Sequence, residues 1–113
     1  MNRLILPGMM LLSLSSTAAL GLTAGQVERI CADFTGDCAD HPLLNAYVGG
    51  ALDMVAVLDE RAGLASRLYC GRAEDVFDVP AIIRYLQAHA SEERESNAML
   101  LVVRYLTDNG GCQ

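Results

Sequence analysis

Residues 78–112 read DVPAIIRYLQAHASEERESNAMLLVVRYLTDNGGC, and this stretch decides the fold. Val79, Ile82, Ile83, Leu86 and Ala90 fall at i, i+3, i+4, i+7 and i+11, which is one face of a helix. Ala98, Leu101, Val102, Tyr105 and Leu106 repeat the pattern at i, i+3, i+4, i+7 and i+8. The tripeptide Arg-Tyr-Leu occurs in both, beginning at Arg84 and at Arg104. Two such helices joined by a short polar connection predict an antiparallel αα-hairpin. Asp78 is suited to cap the first of them, with Pro80 in its first turn. Glu92 and Glu93 are placed to support the start of the second through its dipole. Asn109, Gly110 and Gly111 stop it just before Cys112.

Working outward, the chain has 113 residues, enough for one domain. Its first residues have the layout of an export signal. Arg3 supplies a positive charge, residues 4–14 are largely apolar, and Ser15, Ser16, Thr17, Ala18 and Ala19 supply small side chains. The expected division is a leader over residues 1–24 and a single helical domain over residues 25–113. Cleavage after Ala18 or Ala19 fits the pattern as well. The continuously apolar part falls short of the ~20 residues that span a bilayer, which argues against an uncleaved anchor. No cysteine follows the apolar run, so a lipid anchor is not expected.

A domain of about 90 residues has a thin core and often depends on covalent staples. All four cysteines, Cys31, Cys38, Cys70 and Cys112, lie beyond the leader. An even number in a small exported chain reads as two disulfides and an oxidising compartment. Of the three connectivities, 31–38 with 70–112 is favoured; the competing one joins Cys31 or Cys38 to Cys70. In an unbroken helix Cys31 and Cys38 would stand ~10 Å apart, so their bridge requires the helix to stop near Gly36. A 70–112 bridge closes a loop of about 43 residues around the hairpin. On a chain-entropy argument it contributes about 4 kcal/mol, against about 2.5 kcal/mol for a 31–38 loop of about 8 residues.

Upstream of the hairpin, residues 26–34 predict a short helix and residues 42–61 the longest one. Asp40 or His41 would cap the long helix ahead of Pro42. Leu44, Tyr47, Val48, Ala51, Leu52, Val55 and Leu58 give it a broad apolar face, which predicts the central helix of the bundle. Gly49 and Gly50 weaken it by about 1 kcal/mol each relative to Ala, and close approach by another helix is the expected return. Asp53 is either a partly exposed carboxylate or a buried group needing a partner. Residues 63–76 read as irregular. Strand alternation is absent, so the fold class is all-α: a small helical bundle of about four helices, disulfide-stapled.

Removing residues 1–24 leaves seven arginines against fourteen acids, a net charge of −7, with no lysine. Nucleic acid is excluded as a partner, because phosphates demand a basic patch. Chemistry is equally sparse. Cys38-Ala-Asp-His41 is at most half of a zinc site. Asp33, Thr35 and Asp37 alternate like calcium ligands but lack the bidentate Glu and the correctly placed glycine. Neither a phosphate-binding glycine loop nor a nucleophile elbow is present. His89, near the end of its helix, reads as a cation-side cap. No metal, cofactor or catalytic residue is expected, and the chain reads as a binding protein.

Four stretches resemble the Rap/Tai family of periplasmic immunity proteins. They are Tyr47-Val-Gly-Gly-Ala-Leu-Asp53, Cys70, Ile82-Ile-Arg-Tyr-Leu-Gln-Ala-His89-Ala-Ser-Glu92, and residues 98–106 with Cys112. The order and spacing cover most of the mature chain. Departures are Met54 for a small residue after the Asp, Gly71-Arg72 where Cys-x-Pro is usual, Ala90 for Pro, and Gly110-Gly111 for Phe-Pro. The resemblance implies a helical bundle, commonly a homodimer, that neutralises a peptidoglycan amidase toxin of a type VI secretion system by inserting a loop into its active-site groove. The residues themselves offer one candidate for such a loop, the acidic connection of the hairpin. Ser91, Glu92, Glu93 and Glu95 are accordingly the expected toxin-binding residues, on a tip projecting between two helices; the ordinary alternative is a solvated turn. A second expectation is an HdeA-like acid-stress chaperone. That type is also small, exported and helical, and Cys31-Ala-Asp-Phe34 is similar to its Cys-x-Asp-Phe start.

Overall fold

A computed structural model describes residues 21–112. The leader expected over residues 1–24 therefore lies almost wholly outside the described residues. Five α-helices follow in order: α1 (Ala24–Asp33), α2 (Pro42–Ala62), the single turn α3 (Ala73–Val76), α4 (Val79–His89) and α5 (Ala98–Asn109). Turns of 3-10 helix precede α2 (Cys38–Asp40), follow it (Leu64–Arg67) and continue α4 (Ala90–Glu92). The fold is all-α and doubly disulfide-bonded, with α3 added in the segment expected to be irregular.

Local chemistry sets most of the boundaries. Thr23 and Gln26 exchange side-chain and backbone hydrogen bonds in a capping box that starts α1. The extended Phe34 and Gly36, at φ +114°, end it. His41 caps α2: its Nδ1 accepts from the Leu43 N–H at 3.1 Å, and Pro42 takes the first helical position. Gly63, at φ +60°, closes α2 in the left-handed conformation, donating its N–H to the Asp59 carbonyl at 2.8 Å. Asp78 caps α4 by accepting from the Ala81 N–H at 3.1 Å. Asn97 caps α5, accepting from the Met99 N–H at 2.9 Å.

The core is gathered on α4. Ile82, Ile83 and Leu86 are fully buried, covered by Val27 from α1, Leu44 and Val48 from α2, and Leu101 and Leu106 from α5. The central helix is thus α4, not α2 as the breadth of the α2 stripe suggests. Only Leu44, Val48 and Leu52 of that stripe are buried, while Leu58 stays 41% exposed. No helix approaches Gly49 or Gly50: a Cβ at either would meet nothing within 4 Å. Asp53 is exposed and needs no internal partner.

Both expected disulfides form. Cys31–Cys38 spans 5.2 Å between Cα atoms, after α1 has stopped, and is buried. Cys70–Cys112 spans 4.9 Å and closes the α4–α5 hairpin at its base. Beside it the Gly110 carbonyl accepts from the Cys70 and Gly71 N–H groups at 2.8 and 2.9 Å. Tyr69 packs so closely there that a Cβ on Gly110 would lie 2.5 Å from its Cβ. Oxidation of these thiols is the state of an oxidising compartment, and no helix among the described residues is long and apolar enough to cross a membrane.

The loop closed by Cys31–Cys38 is tied to α4 by Asp37, whose carboxylate meets Arg84 at 3.1 Å. The Ala39 N–H and then the Arg84 guanidinium hold the Asp37 carboxyl below the usual carboxylate range. A lowered folded-state value means that this contribution is present at neutral pH. It disappears as acid titrates Asp37 through that lowered value.

The two bridges should differ in weight. The chain separations are 42 and 7 residues. Cys70→Ala with Cys112→Ala is expected to lower the unfolding free energy by about 4 kcal/mol, and Cys31→Ala with Cys38→Ala by about 2.4 kcal/mol. Urea denaturation measures both; a smaller loss for the 70–112 pair would contradict the assignment of the larger staple to the hairpin.

Candidate functional site: the tip of the α4–α5 hairpin

Residues 91–96 connect α4 to α5. The chain leaves α4 through the 3-10 turn and tightens again where the Ser96 N–H donates to the Glu93 carbonyl at 2.9 Å. The first N–H groups of any helix lack intrahelical partners. Those of α1 find theirs here: Ala24 donates to the Ser96 carbonyl at 2.9 Å and Gly25 to the Arg94 carbonyl at 3.0 Å. In return the Ala98 N–H, in the first turn of α5, donates to the Leu22 carbonyl at 2.8 Å. Thr23 and Asn97 pair as an antiparallel bridge, and Arg94 Nε meets Glu28 Oε1 at 3.0 Å. Gly25 permits the approach, since a Cβ there would stand 3.1 Å from the Arg94 oxygen.

The tip therefore does not project freely between two helices. It is pinned along one edge to α1, so that three helices hold it. Spacing along the chain gives no sign of this, because the orphan amides near residue 24 and the carbonyls near residue 95 are distant in sequence and each is unremarkable alone.

The four residues expected to bind a partner fall into two groups. Ser91, Glu92 and Glu95 are exposed. Glu92 Oε2 lies 3.2 Å from His89 Nδ1, and the His89 ring rests on Tyr85 with centroids 4.2 Å apart. Glu93 turns inward instead, where it pairs with Arg104 of α5. Its carboxylate anchors the tip to the hairpin's second helix. Glu95 lines a shallow cleft of about 390 Å³ with Gln26, Arg29 and Arg94, a feature the sequence did not signal. The exposed side of the tip thus carries Glu92, Arg94 and Glu95, with Arg29 of α1 across the cleft.

Elsewhere the reactive side chains are occupied. His41 Nδ1 serves as the α2 cap, and its ring lies against Phe34, centroids 4.7 Å apart. Cys38 is oxidised, so the Cys38–His41 pair offers neither a thiolate ligand nor a nucleophile. Among the described residues no three His, Cys, Asp or Glu side chains cluster to hold a metal ion. A second depression, about 330 Å³ and almost entirely apolar, lies between α2 and α5.

Compared with protein-family models, with curated proteins and with solved structures, the chain matches none of them.

If the tip is clamped as described, the Ala24 and Gly25 amides are protected from hydrogen exchange as strongly as those in the middle of α1. First-turn amides of an isolated helix end would exchange at open-chain rates, and that result would show the tip to be free of α1.

Proposed function

We propose that this chain is an exported, periplasmic immunity-type protein that binds and inhibits a peptidoglycan amidase toxin delivered by a type VI secretion system. The reading takes residues 1–24 as a leader removed on export. What supports it is the resemblance of residues 47–112 to the Rap/Tai pattern, the two disulfides of an oxidising compartment, and above all the pinned tip. An inhibitory loop gains affinity when its bound shape is already fixed, since less conformational freedom is lost on docking. Here backbone hydrogen bonds from α1, the Glu93–Arg104 pair and the hairpin itself fix it. The exposed Ser91, Glu92 and Glu95 then present a small polar surface of set geometry. Such charges steer encounter and select the partner more than they supply raw affinity.

Calorimetric titration of the oxidised chain into purified type VI peptidoglycan amidases tests this. Glu92→Lys combined with Glu95→Lys should weaken binding at least tenfold, about 1.4 kcal/mol or more, with an unchanged melting temperature. Glu93→Lys should lower the melting temperature, because it opposes Arg104. Unaltered affinity in the double variant would remove the tip as the binding surface. A chain that ignores the amidase, yet keeps client proteins soluble at about pH 2–3, would be acting as an acid-stress chaperone.

A further inference from the structure

The residues that lead into α1 are fastened to the hairpin. The Leu22 carbonyl accepts from the Ala98 N–H at 2.8 Å, and the Leu22 side chain packs partly buried against the core. Thr23 pairs with Asn97 as an antiparallel bridge. The Thr23 N–H donates to Gln26 Oε1 at 2.8 Å, and Thr23 Oγ1 accepts from the Gln26 N–H at 3.2 Å. The Thr23 carbonyl accepts from the Val27 N–H at 3.1 Å. Ala24 has no exposure, and its N–H donates to the Ser96 carbonyl at 2.9 Å. A leader peptidase cutting after Ala24 would discard all three residues.

We infer that the leader is cut upstream of Leu22, and that Leu22, Thr23 and Ala24 stay in the exported chain as the residues that position the tip. The inference rests on the export reading and redraws its boundary, so that the removed segment ends before Leu22 instead of at residue 24.

Three observations carry it. The first is what a cut after Ala24 takes away. The capping box of α1 disappears, and the Ser96 carbonyl loses its donor from α1. Ala98 has no exposure, so its N–H would be left buried without the Leu22 acceptor. The second is charge. That cut makes the Gly25 nitrogen a terminal ammonium, protonated at neutral pH. It would sit at the positive end of the α1 dipole, where a cation is unfavourable. The third lies in the peptidase's own demand for small side chains at the first and third residues before the bond. A cut after Ala24 places Leu22 at the third. Cuts after Ala18, Ala19 and Gly21 place Ser16, Thr17 and Ala19 there, and each leaves Leu22 in the product.

The full chain, exported by a Gram-negative host and purified from its periplasm, tests the cut by intact mass and N-terminal sequencing. A first residue at or before Leu22 is expected. A product beginning at Thr23 or later overturns the inference and leaves the export reading standing; a chain recovered uncut removes both. The positioning role is tested with oxidised chains that begin at Leu20 and at Gly25, compared by hydrogen exchange. In the shorter chain the Ser96 and Ala98 amides should exchange at least tenfold faster. They should lose more protection than those of Ile83 and Leu86 in α4, which general destabilisation alone would not produce. A shorter chain that fails to fold while the longer one folds also supports the inference. Equal protection of Ser96 and Ala98 in the two chains overturns it.

Discussion

Everything in this small domain depends on the burial of α4. Ile82, Ile83 and Leu86 have no exposure, because three helices and the turn Cys38–Asp40 pack against α4. Each of the three contributes one apolar row. Val27 and Cys31 come from α1, Leu44, Val48 and Leu52 from α2, and Leu101, Val102 and Leu106 from α5. A domain with so little interior gains limited stability from its core. The covalent links make up the difference where the chain would open most easily. One closes α1 against the entrance to α2, and the other closes the base of the hairpin that contains α4.

The hairpin is consequently secured at both ends by different means. Its base is held by Cys70–Cys112 and by the Gly110 carbonyl, which takes two backbone donors from the chain leaving Tyr69. Its tip is held by the first turn of α1, whose unpaired amides are satisfied by the carbonyls of Arg94 and Ser96. A segment held this way keeps its shape without a core of its own. Part of its charge is consumed in the holding: Glu93 belongs to Arg104 and Arg94 to Glu28, which leaves Ser91, Glu92 and Glu95 to meet solvent or a partner.

Much of this was legible in the residues, and the reasons are local. The Gly36 break makes a 31–38 bridge geometrically feasible, and a 70–112 bridge around the hairpin was favoured, but only the fold excludes a link from Cys31 or Cys38 to Cys70. Asp78, Pro42 and Gly110 mark helix boundaries by chemistry that acts within a turn. What was not legible depends on contacts far apart in sequence. The breadth of the α2 apolar face suggests the centre of the bundle, but periodicity cannot say whether an apolar face is covered from within the chain. Leu44 and Val48 are; Met54 and Val57 are not. Gly49 and Gly50 suggest a place of close approach, yet no helix of the same chain makes it. At the tip, the row of glutamates reads as one acidic cluster. Only the fold separates the inward Glu93 from its exposed neighbours.

Stoichiometric inhibition is the most direct test of the account. Hydrolysis of purified peptidoglycan by a type VI amidase that the chain binds should fall linearly as the oxidised chain is added. It should reach zero at one chain per enzyme and recover when both disulfides are reduced. Undiminished hydrolysis at a large molar excess of the oxidised chain would contradict it.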